Sequence, residues 1–158
     1  MTDKTDRPEL AELRKMLHIA PFHRWLGLDV VDLTERELIL EMPWREEIIS
    51  NPMVQAVHGG ILSALIDLTG LYAINAFGGA VRATADLHVD FHRPATPGPL
   101  RAIGRVVKLG KQLSVAETRI EVSAQRLVAS GRAAYVGCPS AFPDVCDTTR
   151  AGGLCSCP

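Results

Sequence analysis

No cysteine stands among the first 137 residues; all four, Cys138, Cys146, Cys155 and Cys157, follow. A disulfide-built secreted domain spreads its cysteines through the fold, so the body of the chain is not of that class. Basic residues never run beyond a pair and the net charge is −1, which leaves no electrostatic footprint for nucleic acid or an acidic membrane surface. The N-terminal MTDKTDRPELAELRKMLH is polar and carries acids, with no apolar segment of the kind a secretory signal needs. Gly-x-Gly-x-x-Gly and P-loop patterns are missing. So is the Gly-x-Ser-x-Gly elbow, which argues against a Ser-nucleophile hydrolase. There is no internal repeat and no long linker.

What is there is 158 residues, 47% hydrophobic, enough for one domain with a real core. Residues 138–158, rich in Gly, Pro, Ser and Thr, read as a poorly ordered tail. Its Cys155-Ser156-Cys157 lacks the second close pair or the histidine that a zinc site requires. Residues 1–24 read as an N-terminal helical extension, with Leu10, Leu13, Leu17 and Ala20 at helical spacing over 8–20 and a connection through Pro21 and Gly27. Residues 25–137 read as the main domain. Strands are expected at 26–33 and 37–43, a loop at 44–57, a helix from Gly60 to Ala76, and strands at 81–93, 99–109, 112–124 and 126–137, joined by short turns that favour antiparallel pairing. The fold class is therefore α+β: one long central helix wrapped by a curved antiparallel sheet of about six strands, with an N-terminal helix. A helix apolar on nearly every side must be covered on most of them, and a second copy of the chain can close the remaining one.

That helix lies in VHGGILSALIDLTGLYAINAFGG, residues 57–79, where Asp67 is the only charged side chain between His58 and Arg82. A central Asp costs about 2.5–3.5 kcal/mol on membrane-insertion scales, so the run reads as a buried core helix of a cytoplasmic protein. Asp is also a poor mid-helix residue, and a buried carboxylate needs a partner. Two readings stand: a structural Asp bonded to a neighbouring loop or protomer, or a base or nucleophile in a dry cleft. Ser63, Asp67, Gly70 and Ile74 share a face, so small residues leave room beside the carboxylate. Gly59 and Gly60 at the helix start expose N–H groups at the positive end of the dipole, suited to an anion or a polarised carbonyl. Asp67 lies roughly 10–12 Å further along by helical rise, and a substrate lying along the helix can reach both.

His88, Asp90 and His92 share one strand face, but the outer two are about 13 Å apart. A charged, solvated face is the reading, and no metal site is assigned. Phe22, Trp25, Trp44 and Phe77 are candidates for an aryl or medium-chain pocket, and core packing explains them equally well.

HGGILSALID, residues 58–67, resembles the His-Gly-Gly…Asp signature of hotdog-fold acyl-CoA thioesterases, in particular the phenylacetate-degradation type. The strand-and-turn pattern TADLHVDFHRPATPGPLRAIGRVVKLGKQLSVAETRIEV, residues 84–122, is similar too. The resemblance covers about 25–137. It implies that Asp67 is the catalytic carboxylate, as nucleophile or as general base on water. It makes the Gly59 N–H the oxyanion donor, with Gly60 beside it, and His58 the support of that loop. Asn51 resembles the loop Asn that positions water or thioester, one residue further from His58 than the familiar spacing. Thr84 matches a hydroxyl near the site, supplied across a dimer; its parity with Asp86 and His88 calls for a bulge or a subunit interface. Arg93, Lys108, Gly110 and Lys111 are the candidates for the coenzyme A phosphates and adenine. Coenzyme A comes with the substrate and no separate cofactor is implied; a dimer or tetramer is. The alternatives are an enoyl-thioester hydratase or dehydratase of the same fold, which needs a His paired with an acid, and a non-catalytic acyl-CoA-binding protein.

Overall fold

A computed structural model describes residues 8–137. The cysteines and the tail lie outside them. Helix α1 (Leu10–Leu17) buries Leu13 and Leu17, and Glu12 accepts the Glu9 N–H at its start. It stops short of residue 20. A second helix, α2 (Pro21–Leu26), follows where a connection was expected, with Pro21 in its first turn and Gly27 at φ 67° ending it. Pro at a helix start and Gly just past its end are boundary signals as well as turn signals, and here they bracket one helical turn and a half. Strands β1 (Asp29–Leu33) and β2 (Glu37–Met42) form a hairpin. The expected loop at 44–57 contains a small hairpin, β3 (Ile49–Asn51) with β4 (Ala56–Val57).

Helix α3 (Gly59–Ala76) precedes β5 (Val81–Phe91), β6 (Leu100–Lys108), β7 (Leu113–Val122) and β8 (Arg126–Gly137). The six long strands run in the order β1-β2-β6-β7-β8-β5, antiparallel throughout. One long helix held by a six-stranded antiparallel sheet, with a helix at the N-terminus, is the hotdog arrangement. By length and mean hydropathy α3 would pass as a membrane span, but its leucines and isoleucines pack into the core with Leu38, Leu40 and Met42 of β2 and Ile120 and Val122 of β7. The Tyr72 hydroxyl ties it to the Met16 carbonyl of α1.

The sheet meets α3 with small residues: Ala102 and Gly104 on β6, Ala116 on β7, and Ala129, Gly131 and Ala133 on β8. A Cβ on Gly104 would stand 2.9 Å from the Thr69 carbonyl oxygen and 3.2 Å from Ala73 Cβ. Backbone cannot yield as a side-chain tip can, so the helix would have to retreat. Gly104→Val is therefore expected to cost about 3 kcal/mol, the upper end of ordinary overpacking, and to lower Tm by roughly 10 °C. A thermal melt close to wild type would show that the helix is not held this tightly.

The outer face is charged. Glu37, Arg105, Glu117, Arg132 and His88 follow one another in register across β2, β6, β7, β8 and β5. Arg119 bonds Glu37 at 2.8 Å and Glu121 at 3.0 Å. His88 and Asp90 pair at 3.4 Å, while His92 turns to Ser130 Oγ. Strand β5 is the sheet edge and most of its residues are exposed.

Candidate active site

The start of α3 is capped by His58. Its Nδ1 accepts the Gly60 N–H at 2.9 Å, and its carbonyl accepts from Ile61 and Leu62. Its own N–H is bonded to the Ile48 carbonyl at 2.8 Å, which ties the cap to the turn before β3. An acceptor Nδ1 is an unprotonated one. Four N–H groups open any helix without internal partners. Here only the Gly59 N–H makes no hydrogen bond among the described residues. Gly59 lines a cleft of about 360 Å³ together with Val57, Leu62, Phe91, Arg93 and Ala95, among others. The Phe91 ring lies 3.3 Å from where a Gly59 Cβ would be. The arrangement offers one N–H without a partner among the described residues, at the positive end of the helix dipole and beside a largely apolar recess: a place for a carbonyl oxygen that gains negative charge.

Asp67 is half-buried on the same helix. The Thr84 hydroxyl donates to its Oδ1 at 2.8 Å. The Thr84 that makes this bond belongs to the same chain as Asp67. The register of β5 on β8 shifts between Thr84 and Asp86, so a bulge at Ala85 turns Thr84 to the inner face despite its parity with Asp86 and His88. Its register partner Tyr135 is fully buried and donates to the Asp67 carbonyl at 2.7 Å. Burial pushes the Tyr135 phenol well up, and the Asp67 carboxylate adds to the rise, so Tyr135 stays a donor.

Asp67 and the Gly59 N–H are eight residues apart on one helix, about 12 Å by rise. A reacting carbonyl must lie roughly 3 Å from both its attacker and its oxyanion donor. A substrate stretched along the helix therefore touches the two groups with different atoms, and one chain alone does not bring them to one carbonyl.

The other candidates divide. Asn51 is exposed and its Oδ1 accepts the Met53 N–H at 2.9 Å, so that oxygen holds its own turn. Arg93 stands at the cleft beside Gly59. Lys108, Gly110 and Lys111 are at the β6–β7 turn by the other end of α3, where Leu109 approaches Gly79, about 27 Å away by helical rise. Phe22 and Trp25 stack on each other on α2, exposed, with Arg45 over Trp25. Trp44 and Phe77 pack against the core. None of these four aromatics lines the Gly59 cleft; Phe91 does. Phe91 and Tyr135 were not singled out from sequence. Tyr135 had one signal, a polar-tipped aromatic in a strand whose inner face from Ala129 onward is otherwise Ala and Gly, and a buried Tyr needs a partner for its hydroxyl.

Residues 55–129 match the family model described as Thioesterase superfamily. Acyl-coenzyme A thioesterase PaaI of Escherichia coli K12 is 33% identical over 105 residues, 66% of this chain and 73% of that protein. A Halobacterium salinarum protein provisionally named an esterase is 35% identical over 118 residues, 72% of this chain and 78% of the relative. A crystal structure of a thioesterase-superfamily protein superposes with TM-score 0.76 at 44% identity, covering 80% of this chain and 96% of that one. The E. coli PaaI structure, from the phenylacetic acid degradation operon, does so at 0.67 and 27%, covering 82% and 96%. The sequence matches and the superpositions agree on one known group, and the chain belongs to the thioesterase superfamily, as a hotdog-fold thioester hydrolase of the PaaI-like type.

Proposed function

We propose that the protein hydrolyses an acyl- or aryl-CoA thioester to the free acid and coenzyme A. The observation that carries this reading is the Gly59 N–H, the one amide of the helix start left open by the His58 cap. The thioester carbonyl oxygen accepts it, and the negative charge that grows there in the tetrahedral intermediate faces the helix dipole. Asp67 attacks the carbonyl carbon or takes a proton from the attacking water. Thiolate is a good leaving group, so the step needs no strong general acid, which suits a site with so few titratable groups.

The 12 Å between the two groups is bridged by a second copy. Antiparallel pairing of two β5 edges about a two-fold axis near Leu87 and His88 sets Phe91 of one protomer against Thr84 of the other. The helix start of one then meets the Asp67 of its neighbour, and an exposed edge strand is covered. In this arrangement Arg93 of one protomer and the Lys108, Gly110 and Lys111 turn of the other flank a single composite site, as contacts for the coenzyme A phosphates. The reading is of a cytoplasmic homo-oligomer, dimer or tetramer, with acyl-CoA as its small-molecule partner, no nucleic-acid or membrane partner, and no cofactor beyond the coenzyme A of the substrate.

Free-thiol release from short, medium, long-chain and aryl CoA esters tests it. Turnover is expected on at least one class; silence on all of them overturns the reading. In the same panel Phe91→Ala, which removes the ring beside Gly59, is expected to shift the ratio of kcat/KM towards bulkier acyl groups by about tenfold or more, the scale of a changed apolar pocket wall.

A further inference from the structure

The turn of α3 that carries Asp67 is held from outside the helix. Three successive carbonyls each accept a side-chain hydroxyl: Leu65 from Thr69 at 2.6 Å, Ile66 from Thr118 at 3.2 Å and Asp67 from Tyr135 at 2.7 Å. The first is the helix bonding itself; the other two reach in from β7 and β8. A helical carbonyl already pairs with the N–H four residues on. At Asp67 that partner is Leu71, so the carbonyl that accepts the Tyr135 hydroxyl belongs to the Asp67–Leu71 rung of the helix.

This approach depends on Gly70. A Cβ there would collide with the Tyr135 hydroxyl and stand 3.1 Å from Cζ. Tyr135 and Thr84 are register partners on β8 and β5, and the bulge turns them to the same side. Two hydroxyls carried by one rung of the sheet therefore grip one residue at two atoms, Thr84 at the carboxylate and Tyr135 at the main chain. A hydroxyl on the carboxylate alone does not fix the main chain at residue 67; the second grip does.

We propose that Tyr135, through the space left by Gly70, is a positioning residue: it sets the rotation and height of α3 at Asp67 and so the aim of the carboxylate. This rests on the catalytic reading of Asp67. Precision matters because a reacting group misplaced by 1 Å can cost on the order of 10² in rate.

Tyr135→Phe removes only the hydroxyl. Thr118→Val is the matched comparison, since it removes the same kind of bond from the neighbouring carbonyl, Ile66, which carries no chemistry. Both variants are measured for kcat, KM and thermal unfolding, beside Asp67→Asn. The expected result is a fall in kcat of about tenfold or more for Tyr135→Phe, with KM within about twofold. Thr118→Val is expected to keep wild-type kcat even where its Tm falls as far. Equal kcat losses in the two variants, in step with their loss of Tm, would make Tyr135 a purely structural residue. Wild-type kcat in Tyr135→Phe beside an inactive Asp67→Asn would sink the positioning role and leave the catalytic one standing. Wild-type turnover in Asp67→Asn would sink the catalytic reading itself.

Discussion

Asp67→Asn is expected to lower kcat by a factor of about 10² or more, the range of a lost general base or larger, with little change in KM or Tm. The substitution is nearly isosteric. Asn keeps an Oδ1 to accept the Thr84 hydroxyl, which now donates at 2.8 Å, and the Tyr135 bond goes to the main chain and is untouched. What it loses is the negative charge and the basicity of the oxygen. A fall in kcat with the fold intact therefore reports on chemistry. A variant within about threefold of wild type would return Asp67 to the structural reading, an acid whose burial is offset by Thr84. Single turnover in oxygen-18 water then probes the covalent form: label entering the enzyme carboxylate indicates that Asp67 attacked and that water opened the resulting mixed anhydride at the Asp67 carbonyl.

Gly59→Pro is expected to lower kcat by about 10²–10³, the cost of removing one oxyanion donor, while leaving the fold in place. Position 59 is the first residue of α3, where proline suits a helix and no i−4 carbonyl of the helix stands in its way. His58 has φ −62° and ψ 131°, the extended conformation that a residue before proline prefers. The one backbone group removed is the N–H that makes no hydrogen bond among the described residues. The added ring meets Phe91, an exposed side chain able to turn aside. Gly59→Ala is the control for crowding, because it adds a Cβ and keeps the N–H. Loss in the Pro variant with activity kept in the Ala variant isolates the amide. Equal activity in all three would remove Gly59 from the mechanism.

The two inactive variants also test whether the site spans protomers. In a two-fold dimer built from one Asp67→Asn chain and one Gly59→Pro chain, one site carries both lesions and the other carries neither. Random mixing makes half the dimers hybrid, so unfolding and refolding the variants together is expected to recover about a quarter of wild-type activity. A site contained in one chain recovers nothing.

Much of this was legible in the residues alone. Period-two alternation over 81–93 and the short turns between runs specify antiparallel strands because side chains in a strand alternate faces whatever the surroundings. One acid in an apolar run, two turns after Gly-Gly, marks the helix start and the carboxylate because helical rise is a local property. The second hairpin and α2 were hidden because Pro21, Gly27 and Pro52 signal boundaries without saying what they bound. Which aromatic meets the site was also hidden. Phe91 and Trp25 differ little as residues, and only the docking of β5 beside the helix start brings the former to Gly59. Thr84 turns inward because of a bulge at Ala85, a mismatch between two strands that neither strand carries by itself. Tyr135 reaches Asp67 across 68 positions of sequence because Gly104, Gly131 and Gly70 let helix and sheet close on each other. Local periodicity thus determined the elements and the candidate carboxylate. Contacts between distant elements, which depend on three-dimensional packing, decided which side chains surround it.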